Sequence, residues 1–96
     1  MARYFNQIVW ELNNIHVTYQ TLGLIQIDFY GEKTFESYHV KIDEEDEEGE
    51  KIAENFLRKY KNRLKAIETK EQYLEFLNRT KNEYNWEKLP GWWTRA

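Results

Sequence analysis

Residues 43–50 contain seven carboxylates and one glycine, which makes this run the densest concentration of charge in the chain. Closely spaced carboxylates can bind Ca²⁺ or present negative charge to a cationic surface. A calcium-binding EF-hand loop alternates its oxygen ligands around a central glycine, whereas these acids are contiguous and Gly49 comes late. We therefore expect an acidic loop over residues 43–50 that faces water or a cationic partner.

The acids outnumber what helix capping requires. Carboxylates before a helix, with Arg58, Lys61 and Lys65 toward its far end, complement the helix dipole by about 0.3–1 kcal/mol each. One or two acids serve that purpose, and the effect fades beyond the first turn. The excess predicts a partner-binding surface, which the acids of the preceding hairpin extend if they share its outer face. The predicted partner-binding residues are Asp28, Glu32, Glu36, Asp43, Glu44, Glu45, Asp46, Glu47 and Glu48.

The remaining reactive side chains indicate neither a metal centre nor catalysis. His16 and His39 are the only histidines, and they lack the short spacings typical of metal ligands. The chain has no cysteine, no phosphate-binding glycine motif and no positioned nucleophile–base pair. We predict a protein that is not an enzyme and that has no catalytic residues, no metal site and no cofactor.

Length and composition fit one small domain over residues 1–96. The aromatic residues, 4 Trp, 7 Tyr and 5 Phe, help so short a chain to build a core. The first residues lack the apolar core of a signal peptide, and no apolar run approaches the roughly 20 residues of a membrane span. We expect a cytoplasmic protein that does not contact membranes.

The first element is predicted as a helix over residues 3–14. Phe5, Ile8, Val9, Leu12 and Ile15 recur at helical spacing, and two asparagines at 13 and 14 favour a helix end. The stretch is also rich in aromatic and β-branched residues, so a strand is the alternative.

Three strands are predicted next, over residues 16–21, 24–30 and 34–42. In the second, Ile25, Ile27 and Phe29 alternate with polar residues, which places them on one face. The turn at residues 31–33 joins the second and third strands as a hairpin. We expect a three-stranded antiparallel sheet.

Two amphipathic helices follow the acidic run. An apolar stripe from Ile52 to Ile67 predicts the first helix. Thr69 and Gln72 form a capping-box pattern that begins the second, and the short connection implies antiparallel packing. Residues 86–96 form a Trp-rich tail, in which Trp86, Trp92 and Trp93 either close the core or form a docking patch. The sequence thus predicts an α+β domain with both C-terminal helices on one sheet face.

This predicted order, helix, three strands, helix, helix, with an acidic connection before the final pair, resembles small phage-encoded type II-A anti-CRISPR proteins. The helix that starts at Ile52 has a similar run of Ile, Glu, Phe, aromatic, Lys and Asn residues at matching spacing. The resemblance implies a DNA mimic whose acids occupy the site where Cas9 reads the protospacer-adjacent motif. Cas9 reads that motif with arginines, which carboxylates can contact. By position these acids are Glu32, Glu36 and the run Asp43–Glu48.

The leading functional hypothesis is therefore a small inhibitor of a host nucleic-acid-handling protein, in its sharpest form an anti-CRISPR that binds the Cas9–guide RNA complex. An alternative is a structural module that forms a homo-oligomer through its aromatic surface. A third is a nucleic-acid binder that uses Arg58, Lys61 and Lys65. The adjacent acidic run disfavours this third hypothesis, so direct nucleic-acid binding is not expected.

Overall fold

An antiparallel sheet and two helices make up the computed structural model, which describes residues 7–20, 23–42 and 46–88. The strands lie in the sheet in the order in which they occur in the sequence, β1-β2-β3-β4-β5. The elements are β1 (Gln7–Leu12), β2 (Ile15–Gln20), β3 (Leu24–Tyr30), β4 (Phe35–Lys41), α1 (Asp46–Lys65), α2 (Lys70–Arg79) and β5 (Glu87–Lys88).

The predicted N-terminal helix is wrong, because residues 7–12 form strand β1. The helical pattern counted Val9, which is 48% exposed, and passed over Trp10, which packs against the core. Trp10 and Leu12 instead alternate toward the helices with the period of a strand. The predicted helix residues before Gln7 lie outside the described residues.

Two tight turns require the left-handed backbone conformation. Asn13 has a φ of 60° and turns β1 into β2, and the amide of Asn14 donates to the carbonyl of Tyr30 at 3.0 Å. Gly23 has a φ of 88° at the next turn, where a side chain would be strained. The asparagines that suggested a helix end therefore form a hairpin turn, which asparagine also favours.

The sheet has five strands rather than the predicted three. Its extra strands are β1 and β5, and β5 is only two residues long, too short to show a pattern. The predicted bounds of β3 match those observed, and β2 and β4 each differ by one residue at both ends.

One face of the sheet carries the core. The register aligns Trp10, Val17, Ile27 and Tyr38 across four strands, and α1 and α2 cover this face. The Tyr73 hydroxyl of α2 donates to the Ile27 carbonyl at 2.6 Å, which anchors α2 to the sheet centre. We call the opposite side, which neither helix covers, the open face.

The two helices contact each other through aromatic side chains on that one face. Thr69 caps α2, and the capping box with Gln72 is confirmed. Tyr60 of α1 packs against Phe76 of α2, with ring centroids 5.3 Å apart, and its hydroxyl donates to Glu83 Oε1 at 2.9 Å. Helix α1 begins at Asp46, so residues 46–50 of the predicted acidic loop are helical.

An aromatic cluster fills the core between the helices and β5. Phe56 is 1% exposed, and its ring centroid lies 5.2–6.3 Å from those of four other aromatic residues. Trp86 joins this cluster and donates its indole N–H to Thr80 at 2.9 Å. Trp86 thus packs against the core, while Trp92 and Trp93 lie outside the described residues. The rings around Phe56 are Tyr60, Phe76, Tyr84 and Trp86.

Candidate strand-docking site

The outer edge of β1 pairs with no other strand in the described ranges. The N–H of Tyr30 donates to the carbonyl of Asn14, so Asn14 and every second residue of β2 after it bond to β3. The intervening residues of β2 therefore bond to β1, which directs the peptide group of Trp10 toward β2. The peptide groups of Val9 and Glu11 consequently point away from the sheet. This edge presents free donors and acceptors to an added strand.

A groove runs beside this edge between β1 and α1. Its volume is about 520 Å³, and its floor includes the side chains of Trp10 and Leu57. The amide of Asn13 donates to the Lys65 carbonyl at 3.0 Å, which ties the end of β1 to the end of α1. We call this feature the β1–α1 groove. It is lined by Val9, Trp10, Glu11, Leu12, Asn13, Leu57, Lys61 and Lys65.

Two lysines give the helix side of the groove a positive charge. Lys61 and Lys65 are exposed, and neither forms an ion pair within the described part of the chain. Glu11 also lines the groove, but its side chain alternates with Trp10 and so lies toward the open face. The helix side of the groove is therefore cationic, whereas its open-face rim carries one carboxylate.

Strand β1 has only one of the usual devices that protect a sheet edge, the charged side chain of Glu11. Natural edge strands avoid unwanted pairing through charged residues (lysine above all), proline, bulges or shortness. Strand β1 has six residues, contains no proline or lysine, and exposes Val9. An edge of this composition is suited to pairing with another chain.

Asp28, a predicted partner-binding residue, is buried on the open face. It is 6% exposed, and its Oδ1 accepts hydrogen bonds from Ser37 Oγ at 2.5 Å and Gln26 Nε2 at 2.8 Å. Its carboxylate is therefore engaged in hydrogen bonds within the domain. Because it is buried, Asp28 does not extend an acidic surface.

Glu36 lies on the opposite, helix-covered side of the sheet. Its carboxylate oxygens lie 3.1 Å from Lys70 Nζ and 3.3 Å from Lys88 Nζ, and its side chain is 12% exposed. Burial alone would raise the pKa of Glu36, but hydrogen bonds and attraction from the two lysines outweigh it and lower the pKa below its ordinary value of 4.5. Glu36 therefore ties β4 to α2 and β5, and its charge is neutralised internally.

This arrangement predicts an acid-sensitive contribution to stability. Because the pKa of Glu36 is lower in the folded chain, its contribution is present above about pH 4.5 and is lost as the pH falls through the folded pKa. Glu36→Gln should lower the free energy of unfolding at neutral pH by about 1–2 kcal/mol. It should also flatten the acid-side decline of that free energy, measured by urea unfolding at several pH values. Glu32→Gln, at an exposed turn position, is the matched control, and an unchanged acid slope in Glu36→Gln would contradict the assignment.

The remaining predicted acids lie at opposite ends of the sheet. Glu32 is exposed in the turn between β3 and β4, whereas Glu47 and Glu48 are exposed in the first turn of α1, which follows the far end of β4. Strand β4 spans seven residues, or about 23 Å. Asp43, Glu44 and Glu45 lie outside the described residues, and Asp46 is the first residue of α1. The described acids therefore do not merge into the single surface that was predicted.

The two histidines and Arg58 have partners within the domain. His16 lies against Tyr30, with ring centroids 4.4 Å apart, and His39 Nε2 lies 3.8 Å from Glu87. Arg58 donates to Asn55 at 2.8 Å. Across residues 7–20, 23–42 and 46–88, no three His, Asp or Glu side chains converge as a metal site would require. Neither helix in these ranges is long and apolar enough to cross a membrane.

Reasoning from the sequence missed the β1 edge because the segment was assigned to a helix. Two signals could have revealed it: the paired asparagines, which favour a two-residue hairpin, and the alternation of Ile8, Trp10 and Leu12. Lys61 and Lys65 were noted, but as possible phosphate contacts. Comparison of the chain with protein-family models, with curated proteins and with solved structures finds no match.

Proposed function

We propose that this domain is a protein-binding module that accepts an extended segment of a partner as an additional strand on β1. The observation that carries the proposal is the row of outward peptide groups at Val9 and Glu11 beside the β1–α1 groove. Strand addition gives affinity through main-chain hydrogen bonds and selectivity through alternate side chains. The edge of β1 offers both free main-chain groups and a groove for alternate side chains.

Main-chain bonds alone would give weak binding. Val9 and Glu11 each offer one donor and one acceptor, and a net bond contributes about 0.5–1.5 kcal/mol. Association costs at least about 4 kcal/mol in lost translational and rotational freedom. Contacts in the groove with Trp10 and Leu57 must supply the remainder, so a bound segment needs an apolar side chain there.

Proline at Val9 tests the proposal without disturbing the sheet. Because the Val9 N–H points outward, Val9→Pro removes a donor for the added strand but none for β2. We expect a fluorescein-labelled extended peptide, with leucine and two glutamines at alternate positions and threonine between them, to bind the wild type. Its affinity, measured by fluorescence anisotropy, should fall at least about tenfold in Val9→Pro, the equivalent of 1.4 kcal/mol.

Val9→Thr is the matched control, since it keeps the N–H, the branched shape and strand propensity. Equal peptide affinity in Val9→Pro and Val9→Thr would contradict strand addition, as would no binding to the wild type. Light scattering supplies a second check. A concentration-dependent dimer that Val9→Pro abolishes would assign the edge to a second copy of this chain and overturn the proposal.

A second candidate function is the inhibitor that binds a cationic site on a nucleic-acid-handling protein. The specific observation in its favour is that Glu47 and Glu48 are exposed and form no ion pair among the described residues. The element order that contributed to the resemblance to anti-CRISPR proteins is not the observed one, so this candidate depends on the acidic run and on the residue pattern of the helix that contains Ile52.

Capture by immobilised Cas9–guide RNA complex tests this candidate. We expect salt-sensitive capture that Glu47→Lys with Glu48→Lys abolishes and Val9→Pro leaves unchanged. Capture that is absent at low salt, or equal in the charge-reversed variant, would rule this function out.

A further inference from the structure

We infer that the segment received by β1 is acidic on the side that faces α1, with one apolar residue and two carboxylates at alternate positions. This inference rests on the proposed function, which leaves the chemistry of the segment open. It derives from the positions of Leu57, Lys61 and Lys65 along the β1–α1 groove.

These three residues recur every four positions along one side of α1. Four residues advance a helix by about 6 Å. Two residues advance a strand by about 6.6 Å, which is the distance between side chains on the same face. An added strand beside β1 can therefore place one side chain opposite each of the three residues without stretching either element.

The direction of α1 supports this matching. The end of α1 lies at the end of β1, because the Asn13 amide donates to the Lys65 carbonyl at 3.0 Å. The two elements thus run the same way past the groove, and its lining extends along both from Val9 to Asn13 and from Leu57 to Lys65. An apolar side chain opposite Leu57 would meet Trp10 as well, and carboxylates would lie opposite the two lysines.

The charge layout distinguishes the two faces of the added strand. Lys61 and Lys65 have no ion-pair partner within the described ranges, so a carboxylate meets free ammonium groups on the helix side. Glu11 lies toward the open face, where a second row of carboxylates would be repelled. The segment should therefore alternate acidic with uncharged or basic residues rather than be acidic throughout.

Three peptides of identical length separate charge from strand addition. The first is the leucine–glutamine–threonine peptide already described, and the other two replace both glutamines with glutamate or with lysine. On the wild type we expect the glutamate peptide to bind about three- to tenfold more tightly than the glutamine peptide, since exposed ion pairs are individually weak. The lysine peptide should bind most weakly. High salt should make the affinities of the three peptides nearly equal, because it screens the charges.

The double variant Lys61→Glu with Lys65→Glu provides the decisive comparison. Both positions are exposed, so the fold should persist, which circular dichroism can verify. We expect the order of affinities to invert, with the lysine peptide now tightest. Lys51→Glu with Lys81→Glu, the matched control at exposed sites outside the groove, should leave the order unchanged.

Two other outcomes separate the inference from the function on which it rests. Equal binding of all three peptides to the wild type, with loss in Val9→Pro, would overturn the acidic preference and leave strand addition standing. No binding of any peptide to the wild type would overturn both.

Discussion

Phe56→Ala is expected to lower the free energy of unfolding by about 3–5 kcal/mol. Phe56 is 1% exposed, and its ring meets four aromatic rings contributed by α1, α2 and the segment before β5. Truncation would leave a cavity that these rigid rings cannot collapse to fill. Urea unfolding followed by circular dichroism and by tryptophan fluorescence would measure the loss.

Phe56→Leu is the control for cavity size, and it should cost clearly less, about 1–2 kcal/mol, since it keeps most of the apolar volume. Fluorescence should report on Phe56→Ala directly, because Trp86 lies 5.9 Å from the Phe56 ring. Similar small losses in both variants would show that Phe56 does not occupy the centre of the core.

Trp10→Pro is expected to destabilise the domain by about 2–3 kcal/mol beyond Trp10→Ala. The alanine variant accounts for the lost side chain, and the proline adds the loss of an N–H that points to β2. Val9→Pro, one residue earlier, should cost less than about 1 kcal/mol because its N–H points outward. Thermal and urea unfolding of the three variants would measure the contrast.

This contrast also separates a strand from the helix that was first predicted. Proline in a helix interior is costly at any position, so Val9→Pro and Trp10→Pro would then both be severe. A loss that alternates between neighbouring positions is specific to an edge strand. Equal losses at the two positions would contradict β1.

The reliability of the sequence prediction followed the strength of the local pattern. Strand β3 was predicted with the observed bounds because Ile25, Ile27 and Phe29 alternate with polar residues. Thr69 and Gln72 marked the start of α2 because a capping box is a local hydrogen-bond motif. The prediction for residues 7–12 was wrong because Ile8, Val9 and Leu12 also fit a helical stripe. Only the pairing with β2 decides between the helical and the strand period.

The candidate site was harder to predict from the sequence because it depends on pairing between distant residues. The sequence predicted that Asp28, Glu32 and Glu36 extend the acidic surface if they share one outer face, but strand alternation places Asp28 and Glu36 on opposite faces. The two lysines that neutralise Glu36 come from α2 and β5, 34 and 52 positions away in numbering. No local pattern reports such a contact.

Amide hydrogen exchange of β1 tests the central claim, an open edge that receives a strand, most directly. In the free domain the Val9 and Glu11 amides should exchange fast while the Trp10 amide between them exchanges slowly. With the glutamate peptide at about 100-fold above its Kd, exchange at Val9 and Glu11 should slow by up to about 100-fold. Protection of Val9 and Glu11 in the free domain, or no change on peptide binding, would contradict the account.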